Sequence, residues 1–338
     1  VNRRSFHLIK LFNFPLVVHI MSEGALKTSH HDVERQGVGV TAHVVAVVRA
    51  IETSRGEGVR LINDPFAEPL AGEIGQNYLF SYSRIGIFLL GSTFLRNAFW
   101  LLSPLLRGYP ELGMLDGLPI RTRNIDDEIR SNLVNHGIEQ ICVLGAGLDA
   151  RPWRLKQADI FQQSANPQFQ GNTLSHISYF EYDFPELFEY KLKVLEEHKA
   201  SSDFNYVKVE GDLSLPKWEE KLLEKGFQPE KRTMWILEGF TGYLTEEEFR
   251  RLFDVVSNKL SAPGSRFIIT FVKPTAARLP VTKNMHKFRP ANPVEIISSF
   301  GWEEGKEESF EEAGLRLGRE IYPVGSTVGH VFVTAKKS

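Results

Sequence analysis

Acids that close apolar runs carry most of the chemical information in this chain. The run Ile141-Cys-Val-Leu144 breaks into Gly145-Ala-Gly147-Leu-Asp-Ala150, the pattern of a buried parallel strand entering a tight turn. Glycines there allow positive φ and leave no side chain between the backbone and a ligand. Taken alone the turn is unspecific, because nicotinamide, flavin and S-adenosylmethionine sites all follow a first strand with glycines. Its setting adds meaning. A second run, Tyr179-Phe-Glu-Tyr-Asp183, ends in acids, and Glu181 or Asp183 stands where a carboxylate accepts both hydroxyls of an adenosine ribose. Dinucleotide folds place that acid roughly 20 residues after the glycines, and here the gap is nearly twice as long. Asp212-Leu213 follows a third run and offers an acceptor for an adenine amino group with an apolar surface for its ring. Glu238, closing Trp235-Ile-Leu, must find a cationic or donor partner if buried. An ammonium group would serve, as would Arg121 or Arg123. Arginine in turn matches the planar geometry of a carboxylate.

The elements that must hold these residues read as a doubly wound α/β sheet, whose ligands lie at the carboxyl ends of the strands. Strands are predicted over 140–144, 177–183, 206–210, 233–237 and 266–272. Helices fit between them, most plainly over 245–260, where Thr245-x-x-Glu248 is a capping box and Phe249, Leu252, Phe253, Val256 and Leu260 form a stripe. A further helix is expected over 293–300. Two closing strands, near 315–322 and 330–334, are expected as an antiparallel pair joined by Pro323-Val-Gly-Ser326.

Upstream, Val40, Val44, Val47, Val48 and Ile51 recur at helical spacing over 38–53. Another helix opens after Pro119, with Ile125, Ile129 and Leu133 on one face and Gly137 past its end. The apolar stretch 85–106 is cut by Arg96, Asn97 and Ser103-Pro104, too short for the roughly 20 residues of a membrane span. It reads as two short helices forming a cap over the core. Residues 1–20 are basic and apolar without an acid, read as an unstructured extension or upstream sequence, with a transit peptide as the alternative. The resulting organisation is an extension over 1–30, a helical cap over 31–135 and a core over 136–338.

The totals agree with one ordinary globular protein, 42% apolar and 24% charged. A formal charge of -2 provides no global field for nucleic acid. The single cysteine, Cys142, excludes an internal disulfide or a Cys-rich metal site; no metal is expected, and the natural compartment is a reducing one such as the cytoplasm.

Taken together, several segments resemble the leucine carboxyl methyltransferase family of S-adenosylmethionine-dependent enzymes. They are Thr41-Ala42 to Arg49-Ala50 with Glu52, Asn63-Asp-Pro-Phe-Ala67, Arg121-Thr-Arg123 with Asp126-Asp127, Leu144 to Arg151, Phe180 to Asp183, Gly211-Asp-Leu213, Glu238-Gly239 with Tyr243-Leu244, and Asn292-Pro293 with Gly301-Trp302. The resemblance covers roughly residues 38–335. It implies a class I methyltransferase fold, Rossmann-like, with a seven-stranded mostly parallel sheet and a helical N-terminal cap. It also implies S-adenosyl-L-methionine as cofactor, held by Arg121 or Arg123, by Gly145 with Gly147 in the same turn, and by Asp183, Asp212, Leu213 and Glu238. Helical register favours Arg121, whereas local similarity favours Arg123. The sequence Leu237-Glu-Gly-Phe-Thr-Gly242 departs from the family's usual small residue before the acid and aliphatics after it, so the acceptor pocket is expected to differ.

The expected acceptor is a carboxylate on a small molecule or a peptide, ionised at neutral pH and in no need of a general base, with the cap closing over it. Two rivals stay open: a nicotinamide-dependent oxidoreductase on the same sheet, and a non-catalytic cofactor sensor. Tight NADH binding would favour the first, and binding without turnover on carboxylate and phenol panels the second. If Asp183 holds the ribose, Asp183→Ala weakens cofactor binding by about 1.5–3 kcal/mol; wild-type affinity on calorimetry would contradict that placement.

Overall fold

The computed structural model describes residues 30–73, 113–161, 174–276, 286–322 and 324–338. The apolar stretch over 85–106 and the basic start over 1–20 lie outside the described residues. Helix α1 (His30–Thr53) precedes α2 (Met114–Asn135) and strand β1 (Gln140–Leu144). Short helices α3 (Arg151–Arg154) and α4 (Gln157–Phe161) lead to β2 (Ser178–Asp183), α5 (Pro185–Glu197), β3 (Asn205–Glu210) and α6 (Trp218–Glu224). After β4 (Thr233–Leu237) come α7 (Glu246–Asn258), β5 (Arg266–Val272), α8 (Pro293–Ser298), β6 (Trp302–Ser309), α9 (Phe310–Arg316) and β7 (His330–Lys337).

The strands form one seven-stranded sheet in the order β3-β2-β1-β4-β5-β7-β6. The β1–β2, β1–β4, β2–β3 and β4–β5 pairs are parallel, and only β7 runs antiparallel to its neighbours β5 and β6. The order of connection reverses between β1 and β4, the place at which sheets of this kind take a ligand beyond the carboxyl ends of their strands. Period-two alternation explains why both faces are covered. Cys142, Leu144, Trp235, Leu237, Phe267 and Ile269 pack under α6, α7 and α8, while Ile141, Val143, Met234, Ile236 and Ile268 pack under α2, α4 and α9. Cys142 is fully buried, and burial pushes its thiol well above the ordinary value, as suits packing rather than reactivity.

Three expectations need correction. No strand occupies 315–322: its first residues finish α9 and the rest is irregular. The partner of the last strand is β6, whose sequence Trp302-Glu-Glu-Gly-Lys-Glu-Glu-Ser309 buries only its tryptophan. As an edge strand, β6 is held by its ladder to β7 and displays charge outward, so it shows no apolar period. The antiparallel pair is therefore joined through α9 rather than by a tight link. Third, α2 begins upstream of Pro119 and carries that proline inside it, just past the first turn, where its ring removes one i→i−4 hydrogen bond.

The capping box of α7 is present, with Thr245 Oγ1 accepting from the Glu248 N–H and the Glu248 carboxylate accepting from the Thr245 N–H. Thr245→Ala is expected to cost about 1 kcal/mol of stability, read as a lower urea midpoint with an unchanged m-value.

Candidate active site

At the tip of β1, Gly145 takes φ 74° and Gly147 φ 53°, backbone that a side chain rarely adopts. The parallel ladder runs on into this turn, since Gly145 N–H donates to the Tyr182 carbonyl at 2.9 Å. Asp183, ending β2, clamps the turn from the side. Its Oδ2 accepts from Gly147 N–H at 2.6 Å and its Oδ1 from Phe184 N–H at 2.7 Å. Burial pushes the Asp183 carboxyl up, and the N–H groups of Gly147 and Phe184 pull against that. Each of its oxygens keeps further acceptor capacity. Beyond β3, Asp212 Oδ1 accepts from the N–H and the hydroxyl of Ser214 at 2.9 and 2.6 Å, and Leu213 is packed into the apolar cluster beside it.

Glu181 does not join this row. Its Oε2 pairs with Lys191 Nζ at 2.6 Å and accepts from the Tyr206 hydroxyl at 2.8 Å, fully buried beneath α5. Burial raises its carboxyl to about 7 even against the lysine charge. Of the acids ending β2, only Asp183 reaches the turn.

Glu238, one residue past β4, meets guanidinium groups on both sides. Arg121 Nε donates to its Oε1 at 2.8 Å and Arg151 Nη1 to its Oε2 at 2.6 Å. The terminal nitrogens of Arg121 lie beside Gly239, Nη1 3.0 Å and Nη2 3.6 Å from where a Cβ on that glycine would stand. Arg123 turns elsewhere, holding both oxygens of Asp127 at 2.9 Å and the Leu61 carbonyl at 3.1 Å. Arg121 and Arg123 thus part company within one turn of α2.

Arg151 was not among the residues singled out by sequence, although it follows the glycine turn directly. It is buried and also holds Asp126 at 2.7 Å and Asp149 at 2.9 Å. Asp126 in turn receives Arg154 at 2.6 Å, and Arg154 lies 3.9 Å from Asp64, which pairs with Arg49 at 2.9 Å. Charges of opposite sign therefore alternate from α1 to the tip of β4. The available signal was the spacing Asp126, Asp149, Arg151 and Arg154 around a core that should contain no charge; only the fold pairs them.

Beyond Glu238 the chain is pinned to β5, with Gly239 N–H donating to Thr270 Oγ1 at 2.7 Å and Thr241 Oγ1 to the Thr270 carbonyl at 2.9 Å. A cavity of about 530 Å³ opens further along, lined by Glu246, Pro274, His286, Phe288, Arg289 and Ile296. Burial, with the charges of His330 and Arg289, holds His286 down at about 4, so it is neutral at pH 7. Lys287 N–H donates to the Gly242 carbonyl at 2.6 Å and ties this cavity to the turn after β4.

A parallel sheet closed by an inserted antiparallel strand, with acids at the tips flanking its switch point, defines the class I methyltransferase fold. Two solved structures share it: one from Thermobifida fusca YX, provisionally described as a methyltransferase, at TM-score 0.51 and 15% identity over 88% of this chain and 94% of that one, and a DUF574 family protein from Streptomyces avermitilis MA-4680 at TM-score 0.52 and 14% identity over 85% and 100%. The leucine carboxyl methyltransferase family model matches residues 42–257, and the chain belongs to that family. A relative from Mycobacterium marinum is 36% identical over 68% of this chain, and one from Mycolicibacterium smegmatis 34% identical over 69%; both are named, provisionally, S-adenosyl-L-methionine-dependent methyltransferases. The chain spans 62% and 66% of those relatives' lengths. Among the described residues no helix is long and apolar enough to cross a membrane, and no His, Cys, Asp and Glu group could hold a metal ion.

The buried charge chain has a pH signature. Burial alone would raise the Asp126 carboxyl, but Arg154 and Arg151 hold it at about 2; burial likewise opposes Arg151 and Arg121 at Glu238, which also falls to about 2. Both folded values lie below the ordinary 3.8 and 4.5, so the stability they contribute is present above those ordinary values and is lost as pH falls toward 2. The urea midpoint is expected to drop across that window, less steeply in Asp126→Asn; equal slopes would show that Asp126 is not depressed.

Proposed function

We propose that this chain is an S-adenosylmethionine-dependent methyltransferase that methylates a carboxylate oxygen on a small molecule or a protein C-terminus. The observation that carries the reading is the row of strand tips, with the Gly145–Gly147 turn between Asp183 on one side and the Arg121–Glu238 pair on the other. This set fits the cofactor. Arg121 has its terminal nitrogens beside Gly239, and its guanidinium is suited to the carboxylate of an amino-acid end. Glu238, ionised at neutral pH, suits its ammonium, and Asp183 retains acceptor sites for ribose hydroxyls. Asp212 and Leu213, next in line after β3, suit an adenine. The core over 136–338 would supply this site, and the segment 31–135 would supply Arg121 and the cover.

When bound, the cofactor would supply an electrophilic methyl group, the new carbon–oxygen bond being matched by loss of the carbon–sulfur bond to a neutral thioether. The protein's part is to align the acceptor and exclude water. A carboxylate attacks already ionised, so no proton needs to leave. His286, held neutral beside the cavity, would orient an acceptor without neutralising it.

Incubation with methyl-labelled cofactor and cell extract should give a base-labile product, as esters are and methyl ethers or methylamines are not; an exclusively base-stable product would overturn the carboxylate. Calorimetry should find S-adenosylhomocysteine binding and no tight NADH binding. Arg121→Ala should weaken S-adenosylhomocysteine by about 1.5–3 kcal/mol, and Arg123→Ala should change it within about 0.5 kcal/mol. The reverse order would exchange their roles.

A further inference from the structure

Between the two grips of the proposed cofactor site lies a side chain with no role so far. The sheet order puts β1 between β2 and β4, so Gly145 stands between Asp183 and Glu238. A donor held by its ribose at Asp183 and by its amino-acid end at Arg121 and Glu238 must carry its sulfur across the tip of β1. The residue over that tip is Phe240. A Cβ built on Gly145 would lie 2.7 Å from Phe240 Cδ2 and 2.8 Å from Cγ, so the ring occupies the side of the turn that the missing side chain leaves open. Alanine at 145 would be excluded both by this contact and by its φ of 74°.

The ring is held but not consumed. Its backbone is fixed by the contacts of Gly239 and Thr241 with Thr270, at 2.7 and 2.9 Å. Phe240 is half-buried and packs against the apolar cluster with part of its surface. Among the described residues no aromatic ring stacks on it and no cation sits over it, in contrast to Phe249, which meets Phe253, Phe271 and Phe288. An aromatic face carries negative charge from its quadrupole and attracts a cation within about 6 Å, more strongly where water is excluded. A sulfonium is such a cation, and it has no N–H or O–H with which to hydrogen-bond. A carboxylate at this point would attract it too, but would compete with the acceptor for the methyl group; an aromatic face cannot.

We propose that Phe240 is the sulfonium-recognition residue of this site, distinguishing the charged methyl donor from its neutral thioether product through its ring face. The inference rests on the cofactor reading above. It gives a physical reason for an aromatic residue at a place where the family is expected to carry aliphatics. It also assigns product release a driving force, since the attraction vanishes when the sulfur loses its charge.

The test compares two ligands that differ only in the methyl group and the charge. Calorimetry of wild type, Phe240→Leu and Phe240→Tyr with S-adenosylmethionine and with S-adenosylhomocysteine gives a donor-to-product affinity ratio for each. Phe240→Leu should lower that ratio roughly three- to thirtyfold, while its S-adenosylhomocysteine affinity stays within about twofold, which also shows that the variant is folded. Phe240→Tyr, which keeps the ring, should retain the wild-type ratio. If Leu weakens both ligands in parallel, the ring is only an apolar wall and the proposal fails; if Leu tightens both, the ring is a plug and the proposal fails as well. Wild-type protein that binds neither ligand would instead overturn the cofactor reading itself, and this inference with it.

Discussion

The Arg121–Glu238 end of the candidate site hangs on a chain of alternating buried charges. It runs Arg49, Asp64, Arg154, Asp126, Arg151, Glu238, Arg121, with Asp149 as a branch on Arg151. Removing such groups from water is costly, and the cost is offset only when each charge has opposite neighbours with good hydrogen-bond geometry. Every link here therefore constrains the next. A displaced α1 would take Arg49 from Asp64, and a displaced α2 would take Asp126 from both Arg151 and Arg154. The consequence is positional: Glu238 is held between Arg121 at 2.8 Å and Arg151 at 2.6 Å, and Arg151 is itself held by Asp126 and Asp149.

That framework joins elements distant in sequence. Residues of α1 and the following turn meet residues of α2, of the turn after β1 and of the tip of β4. A second buried group does the same for the far end of the chain, where Arg319 reaches Glu52 at 3.1 Å and Asp116 at 3.5 Å, and Arg55 pairs with Glu52 at 3.0 Å. The C-terminal region is thus bolted to α1 and α2 rather than only to the sheet. The charged groups link segments distant in sequence, and the apolar clusters fill the space between sheet and helices. Stability comes mainly from the latter, and specificity of arrangement from the former.

Much of this fold was legible in one sequence. β1, β4 and β5 end where the apolar runs end, because a buried strand is apolar on both faces; Gly145, Glu238 and Lys273-Pro274 close them in turn. The helix after Thr245 announced itself by its capping box and stripe. β6 did not, because an edge strand needs only a ladder, and Glu303 to Glu308 offer charge where a pattern was sought. Of the stretch 315–322 only the first two residues belong to α9 and the rest is irregular, and the helix carries its own capping box, Ser309-x-x-Glu312. At the site, Gly145, Gly147, Asp183 and Glu238 could be nominated because the glycine turn and strand-terminal acids are local signals. Between Arg121 and Arg123 the letters offered only register against similarity.

The sequence by itself determined the doubly wound sheet, the glycine turn and which acids close the strands, since these follow from periodicity, backbone sterics and burial read over a few residues at a time. Only the tertiary structure decided that Glu181 turns inward to Lys191, that Arg151 rather than Arg123 shares Glu238 with Arg121, and that Phe240 lies over Gly145. Each of those outcomes depends on groups far apart in the chain competing for the same buried space and the same opposite charge, and that competition is settled by distance in the folded molecule, which no local pattern encodes.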